Sequence, residues 1–312
     1  MLSVKVYTNI EDFKSIPNPV VTTGTFDGVH LGHQKIISRL KEIAKAENGE
    51  TVLLTFYPHP RMVLFPDDNE LKMINTQQEK IALLEQYGID HLIIYPFTKE
   101  FSRLTSVEFV RNILVNTIQT KRLVIGYNHH FGRNREGSFE HLKEYGPLYG
   151  FDVEEIPAKD IDSIEISSTK IRNALLSGDV KTATNYLGHS FSITGKVVGG
   201  KKLGRTIGYP TANIDINDKY KIIPADGVYA VNVIHDGKIL EGMLNIGNNP
   251  TVEGKGRSIE VNIFNFDKEI YGDDATIIFI ERLRDEVTFN GLEQLKEQLS
   301  KDKENAIQAL SK

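Results

Sequence analysis

The sequence contains no cysteine and no tryptophan among its 312 residues. Without cysteine there is no disulfide, no thiolate nucleophile, and no cysteine-ligated zinc or iron-sulfur site. It also lacks an Asn-x-Ser/Thr sequon. Any catalysis by this chain must therefore use histidine, carboxylate, amide, hydroxyl and backbone groups.

Long apolar runs are missing as well, since no stretch of 18 apolar residues occurs and Lys5, Glu11 and Asp12 interrupt the first segment. We therefore expect neither a signal peptide nor a membrane span, and a cytoplasmic protein. An excess of basic charge is also absent: 37 Lys and Arg against 42 Asp and Glu give a net charge of −5. This balance is atypical of a nucleic-acid binder, so we expect small-molecule ligands, with anions met by local basic clusters. Protein partners remain undetermined by the sequence.

The length is about twice that of a typical domain of ~150 residues, which predicts two domains. In the first half, short β-branched runs alternate with helical patterns. Two of the helices open with a capping box, at Thr76-x-x-Glu79 and Thr105-x-x-Glu108. This alternation predicts an α/β doubly wound parallel sheet over residues 1–187. Its five expected strands begin at Val20, Thr51, His91, Arg122 and Phe151.

The pattern changes after Gly188, where strand-like runs follow one another from Phe191 without intervening helices. The segment His235-Asp236-Gly237-Lys238 has the composition of a tight hairpin turn. The second half, residues 188–312, is therefore predicted to form a small antiparallel β-barrel. A C-terminal helix from about Gly291 completes it.

The first expected strand runs into a segment rich in glycine and histidine, Gly24-Thr25-Phe26-Asp27-Gly28-Val29-His30-Leu31-Gly32-His33. A strand end followed by a helix N-terminus is where α/β folds bind phosphate, because unpaired N–H groups and the helix dipole converge there. His30 and His33 lie one helical turn apart and can donate hydrogen bonds to phosphoryl oxygens. A tight turn with exposed or weakly metal-binding histidines is the alternative.

Two further segments follow expected strands of the first half. Pro58-His59-Pro60 imposes an extended turn after the strand containing Phe56, which places His59 at the ligand end of the sheet. The segment from Gly126 to Gly132, with Asn128 inside it, also lies just beyond a strand. A simple turn and a solvated loop, respectively, would produce the same patterns.

Ser167, Ser168 and Thr169 precede a helical run. Their hydroxyls can cap that helix while its N–H groups, Lys170 and Arg172 face a phosphate. An ordinary helix cap without a ligand is the alternative.

In this order, the segments Gly24 to His33, Thr55 to Pro60, Gly126 to Gly132 and Ile166 to Arg172 resemble the extended HxGH signature of bacterial FMN adenylyltransferases, within the nucleotidyltransferase superfamily. The resemblance implies that His30 and His33 are catalytic, and that Phe56, Pro58 and His59 contact flavin. It implies nucleotide or phosphate binding by a larger set: Gly24, Phe26, Asp27, Gly32, Asn128, Ser167, Ser168, Thr169 and Arg172. The chain departs from the family at Tyr57, where Glu is common, and at His129, where an aromatic residue is common.

The second half contains one glycine-rich basic segment, from Lys201 to Asn213. Mg²⁺ takes few protein oxygens in addition to substrate phosphates, so Thr211 and Asn213, two apart on one face of an extended segment, are candidate metal partners. A glycine-rich hairpin with a solvated tip is the alternative. Glu260 lies on the strand face opposite Ile259 and Val261, where a solvated position would explain it equally well.

This half resembles riboflavin kinase throughout, through Gly204 to Asn213, Asp226 to Tyr229, Asn245 to Thr251, Glu260 and Leu283 to Glu286. The resemblance implies that Glu260 is the catalytic base for the riboflavin 5′-hydroxyl. It implies ATP binding by Lys202, Gly204, Gly208 and Pro210, and flavin binding by Arg284 and Glu286.

The two resemblances occur in the order of the bifunctional bacterial FAD synthetases, which convert riboflavin to FMN and FMN to FAD with ATP and Mg²⁺. Two alternatives remain open. In the first, the departures at Tyr57 and His129 have disabled adenylylation and only the kinase half is active. In the second, the protein binds or senses flavin without turnover.

Overall fold

The computed structural model describes residues 3–67, 71–127, 129–157, 166–200, 203–247 and 257–311. The chain divides into two compact units, Met1–Ser167 and Ser168–Lys312.

The first unit contains a six-stranded sheet with the strand order β1-β4-β3-β2-β5-β6. Every recorded strand pair in it is parallel, as the sequence predicts. The edge strand β1 was not predicted, because its three residues are too few to produce a recognisable periodicity. The strands are β1 Lys5–Tyr7, β2 Val20–Thr23, β3 Thr51–Tyr57, β4 His91–Pro96, β5 Arg122–Gly126 and β6 Asp152–Ile156.

Helices connect the strands, and both predicted capping boxes are present, at Thr76 with Glu79 and at Thr105 with Glu108. The second of these opens a short α-helix that continues as a π-helix over Val110–Thr117. The α-helices are α1 Leu31–Ala46, α2 Pro60–Leu64, α3 Gln77–Gln86, α4 Ser106–Phe109 and α5 Phe139–Tyr149. Short 3₁₀ turns cover Ile10–Asp12, Phe101–Arg103 and Arg133–Arg135.

Alternate residues of the strands enter two separate hydrophobic clusters. Val20 packs in one cluster with Leu40 of α1, whereas Val21 packs in the other with Ile113 of the π-helix. Because successive strand side chains point to opposite faces, both faces of the sheet are covered. The predicted doubly wound architecture is confirmed.

The second unit begins with two helices and continues as a closed barrel in the order β10-β11-β8-β7-β12-β9. All recorded barrel pairs are antiparallel. Asp236 and Gly237, with φ of 50° and 68°, form the predicted hairpin turn. The strands are β7 Ser192–Val198, β8 Ala212–Asp215, β9 Gly227–His235, β10 Lys238–Gly247, β11 Ser258–Ile263 and β12 Asp274–Arg284. The helices are α6 Ser168–Leu176, α7 Val180–Leu187, α8 Leu203–Thr206 and α9 Leu292–Leu310.

The unit boundary falls about twenty residues before the change of pattern near residue 188, because α6 and α7 pack with the barrel. The Ala225 amide donates to the Leu175 carbonyl at 3.0 Å. Lys181 Nζ lies 2.7 Å from Glu281 Oε2 of β12. Helical periodicity cannot reveal which neighbour a helix will contact, so the sequence pattern places the two helices with the preceding half.

Within the described ranges, none of the helices combines the length and the apolar character needed to cross a membrane.

A fragment that starts at Ser168 is expected to melt at a higher temperature than one that starts at Gly188. The longer fragment keeps Ile171, Leu175 and Leu187, each 0% exposed in the full chain. A fully buried aliphatic side chain contributes roughly 1.5–3 kcal/mol. Calorimetry of the two fragments checks this, and equal melting temperatures would show that the helices do not stabilise the barrel.

Candidate active sites

Three of the predicted motifs meet at one edge of the parallel sheet. β2 lies between β3 and β5, so the carboxyl ends of these adjacent strands share an edge. The segments after them are Gly24 to His33, Pro58 to Pro60 and Tyr127 to Gly132. This is also where the strand order reverses direction, the usual ligand position of open α/β sheets.

The turn between β2 and α1 has an unusual backbone. Phe26, Gly28 and Val29 have φ of 47°, 87° and 41°. A β-branched residue such as Val29 rarely adopts this left-handed region. Phe26 and Val29 are nonetheless buried, at 2% and 0% exposure. A Cβ on Gly24 would lie only 3.1 Å from the Phe26 ring, so glycine provides the room for this turn.

His30 and His33 stand together at the N-terminus of α1. Their ring centroids are 3.7 Å apart with the planes at 16°, and the Phe26 ring lies 4.6 Å from that of His33. His30 is the N-cap residue, and its side chain makes no capping hydrogen bond. The two rings therefore lie side by side where α1 begins.

Burial, followed by the charges of His30 and Lys80, holds the pKa of His33 well below its usual value. Its Nδ1 is buried and has no hydrogen-bond partner within the described ranges. At neutral pH, His33 is therefore an uncharged imidazole whose N–H can donate to a phosphoryl oxygen beside the helix N-terminus.

Asp27, also predicted to bind the nucleotide, points into the protein. It is 0% exposed, and its carboxylate accepts hydrogen bonds from the Ile74 and Asn75 amides at 3.0–3.3 Å. These bonds tie the segment before α3 to the turn. A ligand-binding role for Asp27 stays a prediction.

Lys80, which the sequence does not single out, is only 4% exposed and donates to the Thr25 carbonyl at 2.9 Å. In the structure, Lys80 and Leu84, four residues apart, are the buried residues of α3. The sequence of this helix is only weakly amphipathic, so its pattern carries no signal that Lys80 occupies a core position.

Of the three predicted flavin contacts, Phe56 lies near the end of β3, and Pro58 and His59 follow the strand. The Phe56 ring packs against Phe97 and Phe101 at 5.8 and 5.6 Å. The Tyr57–Pro58 peptide bond is cis. His59 caps α2, since its Nδ1 accepts from the Arg61 amide at 3.2 Å.

His129, one of the two departures from the family pattern, stacks on Phe131 with centroids 5.9 Å apart. Burial, with the nearby His130 and Arg135, lowers the pKa of His129 to about 4. The ring is thus uncharged at neutral pH and presents a flat apolar face. Asn128 lies outside the described residues.

The second unit starts at Ser168, inside the Ser167 to Arg172 motif. A helix begins there, but earlier than predicted: α6 starts at Ser168, so Ser168 and Thr169 lie in its first turn rather than before it. Thr169 is exposed and Arg172 half-buried. Ile171 is fully buried and fixes which side of the helix faces the protein. The hydroxyl and cationic side chains named by the sequence therefore belong to the first turns of α6.

Strand pairing in the barrel brings together the predicted base and metal partners. Glu260 of β11 lies opposite Asn213 of β8. The Thr211 hydroxyl donates to Glu260 Oε2 at 3.3 Å. Asn262 Nδ2 donates to the Pro210 carbonyl at 2.6 Å and holds the residue before Thr211.

The glycine-rich segment lies against this group. A Cβ on Gly200 would come within 2.1 Å of Asn213 Nδ2. A Cβ on Gly204 would meet the Tyr209 carbonyl at 2.1 Å, and the Tyr209 amide donates to the Gly204 carbonyl at 2.8 Å. Gly208, with φ of 86°, completes the turn. Lys202, the fourth predicted ATP contact, lies outside the described residues.

A small cavity of about 60 Å³ lies beside Thr211. Its lining includes Val197, Pro210, Phe266, Ile270 and Tyr271, with the charged Arg205, Lys268 and Glu269. Arg205 lies 3.5 Å from Glu269, which balances part of the basic charge.

Thr211, Asn213 and Glu260 provide hydroxyl, amide and carboxylate oxygens, the donors that Mg²⁺ prefers. Among the residues that the structure describes, no group of three His, Cys, Asp or Glu could hold a metal ion. The chemistry of the oxygen set beside Glu260 fits Mg²⁺, which takes few protein ligands.

The two predicted flavin contacts of the barrel, Arg284 and Glu286, differ in their contacts and exposure. Arg284 donates to both carboxylate oxygens of Asp302 in α9, at 2.9 and 2.7 Å, and Gln298 donates to the same carboxylate at 2.8 Å. Arg284 thus fastens the C-terminal helix to β12. Glu286 is exposed and rests against Gly247, where a Cβ would collide with its carboxylate.

The comparisons with known proteins divide the chain in the same two parts. The sequence model of the FAD synthetase family matches residues 13–170. The riboflavin kinase model matches residues 187–310.

Whole-length relatives carry both parts in one chain. A bifunctional riboflavin kinase/FMN adenylyltransferase of Buchnera aphidicola is 39% identical over 305 residues, covering 96% of each chain. The protein of that description from Escherichia coli K12 is 35% identical over 302 residues, again 96% of each. The Bacillus subtilis relative is 38% identical over 297 residues, covering 94% of this chain and 92% of its own. A crystal structure from Streptococcus pneumoniae, described as a macrolide-efflux protein, matches with a TM-score of 0.87 and 34% identity, covering 97% and 98% of the two chains.

Replacing Asp302 by Ala is expected to destabilise the barrel by about 2–3 kcal/mol, because it leaves the Arg284 guanidinium without its buried acceptor. Asp302 is only 1% exposed. The exposed neighbour Glu304 is the matched control, and Glu304→Ala should change stability by less than about 0.5 kcal/mol. Calorimetry of the full chain measures both, and equal effects would show that the ion pair does not anchor α9.

Proposed function

Because the chain belongs to the family of bifunctional riboflavin kinases/FMN adenylyltransferases, we propose that it makes FAD in two steps. The second unit transfers the γ-phosphoryl group of ATP to riboflavin and gives FMN. The first then transfers the adenylyl group of another ATP to FMN and releases pyrophosphate. The observation that carries this proposal is the match of both family models, in order, to an HxGH sheet and a Glu260-containing barrel.

In the adenylylation step, a phosphate oxygen of FMN attacks the α-phosphorus of ATP while the bond to pyrophosphate breaks. Negative charge on the bridging and non-bridging oxygens must be stabilised at that moment. His30, His33 and the α1 N-terminus lie at one place, beside the strand end where phosphate is expected. We assign Gly24, Phe26 and Gly32 to nucleotide binding, at a place where the nucleotide would come close to the backbone.

In the kinase step, Glu260 accepts the proton of the riboflavin 5′-hydroxyl as its oxygen attacks the γ-phosphorus and ADP departs. Thr211 and Asn213 would hold Mg²⁺, which supplies charge neutralisation at the phosphates. The donation from Thr211 to Glu260 at 3.3 Å supports this assignment, because the hydroxyl and the carboxylate are in direct contact.

The remaining sequence-derived roles complete the proposal. The adenylyltransferase domain is assigned to residues 1–187 and the kinase domain to residues 188–312. The helices α6 and α7 lie within the first of these ranges but pack with the barrel. The substrates are small molecules, no nucleic acid or membrane is bound, and the protein works in the cytoplasm. Further nucleotide, ATP and flavin contacts are assigned to Ser167, Ser168, Thr169, Arg172, Gly204, Gly208, Pro210, Phe56, Pro58, His59 and Glu286.

The departures at Tyr57 and His129 raise the alternative that adenylylation is lost. The uncharged His129 ring, stacked on Phe131, offers a flat face much as an aromatic residue would. The whole-length bifunctional relatives favour two active units over a kinase alone and over a flavin-binding protein without turnover.

A time course with riboflavin, ATP and Mg²⁺, resolved by chromatography, should show FMN rising first and FAD following. His33→Ala should slow FAD formation roughly 10²- to 10³-fold by removing one transition-state donor. Glu260→Gln should slow FMN formation roughly 10²- to 10⁴-fold by removing the base.

The two variants control for each other within one chain. His33→Ala should phosphorylate riboflavin at the parent rate, and Glu260→Gln should convert supplied FMN to FAD at the parent rate. FMN without FAD from the parent would support the kinase-only alternative, and tight flavin binding without ATP consumption would support the non-catalytic one.

Two adjacent glycines give a matched test of Asn213. Gly200→Ala must displace the Asn213 amide and should lower riboflavin phosphorylation roughly 10- to 10²-fold. Gly199→Ala meets nothing within 4 Å and should leave the rate within about twofold. Equal rates in the two variants would argue against a role for the Asn213 side chain.

A further inference from the structure

Lys80 is a cation at a core position. It is 4% exposed, although its helix is otherwise buried only through Leu84. Leucine or methionine would satisfy such a position by packing alone, whereas burying an ammonium is unfavourable unless it is hydrogen-bonded or paired. Burial lowers the pKa of Lys80, and the Asp27 carboxylate opposes this shift. Packing alone therefore does not explain why a lysine occupies position 80.

The atom that Lys80 contacts belongs to the start of the strained turn. Its Nζ donates to the Thr25 carbonyl at 2.9 Å, and the Thr55 hydroxyl donates to the same oxygen at 3.2 Å. The next residue, Phe26, is the first with a left-handed backbone. A non-glycine backbone in this region persists only where its surroundings fix it, because its own conformational preference opposes it.

The same segment of chain also holds the turn on its other side. Asp27 accepts hydrogen bonds from the amides of Ile74 and Asn75, just before the helix that carries Lys80. The segment 74–80 therefore contacts the turn at two places. Lys80 donates to the Thr25 carbonyl, and the backbone amides of Ile74 and Asn75 donate to the Asp27 carboxylate. His30 follows three residues after Asp27.

We propose that Lys80 is a positioning residue for adenylyl transfer: by holding the Thr25 carbonyl it fixes the turn that aims His30 and His33 at the phosphates of ATP. This inference rests on the adenylylation function proposed above. The charge of Lys80 also contributes to lowering the pKa of His33, after burial and His30, which places the two groups within electrostatic reach.

The test is the steady-state rate of FMN adenylylation in the full chain. Lys80→Met keeps the stem and removes the donor, and it should lower kcat roughly 10- to 10²-fold, with KM for FMN and ATP within about threefold. Lys80→Arg keeps a cationic donor and should recover part of the loss. Thr55→Val removes the other, uncharged donor to the same carbonyl and should lower kcat by less than about fivefold.

The matched control is Lys41, an exposed lysine that donates to the Tyr87 carbonyl at 2.8 Å beyond the other end of α3. Lys41→Met should leave the adenylylation rate within about twofold. Riboflavin phosphorylation, measured on each variant, should stay at the parent rate.

Each outcome decides between explanations. A folded Lys80→Met protein with parent kcat, or one in which only KM rises, overturns the proposal while leaving the proposed function intact. A parent protein that makes no FAD overturns both.

If Lys80→Met fails to fold its first unit, the double variant Asp27→Asn/Lys80→Met, which removes both charges, is assayed against the single variant Asp27→Asn. A kcat of the folded double variant roughly 10-fold or more below that of Asp27→Asn supports positioning through Thr25. Parent-like activity would show that Lys80 serves only to neutralise Asp27, which overturns the proposal.

Discussion

A buried turn with two non-glycine residues in the left-handed region connects β2 to α1 and sets the place of both histidines. Such a turn is held by its neighbours, since its own backbone preferences oppose it. Two side chains stabilise the turn by donating to the Thr25 carbonyl: Thr55 of β3 and Lys80 of α3. The site also depends on the parallel sheet, which brings the carboxyl ends of β2, β3 and β5 to one edge. The site at this edge is thus a product of the fold rather than of the HxGH letters alone.

The barrel reaches its site by a different route. Antiparallel pairing between β8 and β11 puts Asn213 opposite Glu260, and a single hydrogen bond joins Thr211 to that carboxylate. Register is the controlling quantity here, because a slip of one residue would turn Glu260 toward the opposite face. Closure of the barrel and the Asn262 bond to the Pro210 carbonyl both fix that register.

Features with a local signature were predictable from the sequence. The long strands, the capping boxes and the hairpin at Asp236 were predicted and are confirmed, as is the α/β sheet followed by a barrel. Features decided by a distant partner were not. The three-residue β1 is defined by its pairing with β4, and the ion pair of Arg284 in β12 by Asp302 in α9. Lys80 belongs to this group, because the fold rather than the helix pattern decides both its burial and its carbonyl partner.

The two proposed chemistries explain why the units carry different polar groups. The phosphate of FMN is already ionised near neutral pH, so its attack on ATP needs stabilisation of charge but no base. The carboxylate of the HxGH segment, Asp27, is accordingly bonded to backbone amides, while His33 is held uncharged as a donor. The riboflavin hydroxyl, in contrast, must lose a proton as it attacks. The barrel places Glu260 beside Thr211, and in the proposed reaction this carboxylate is the group that would accept the proton. The protonation state of each nucleophile thus accounts for imidazoles in the sheet and a carboxylate in the barrel.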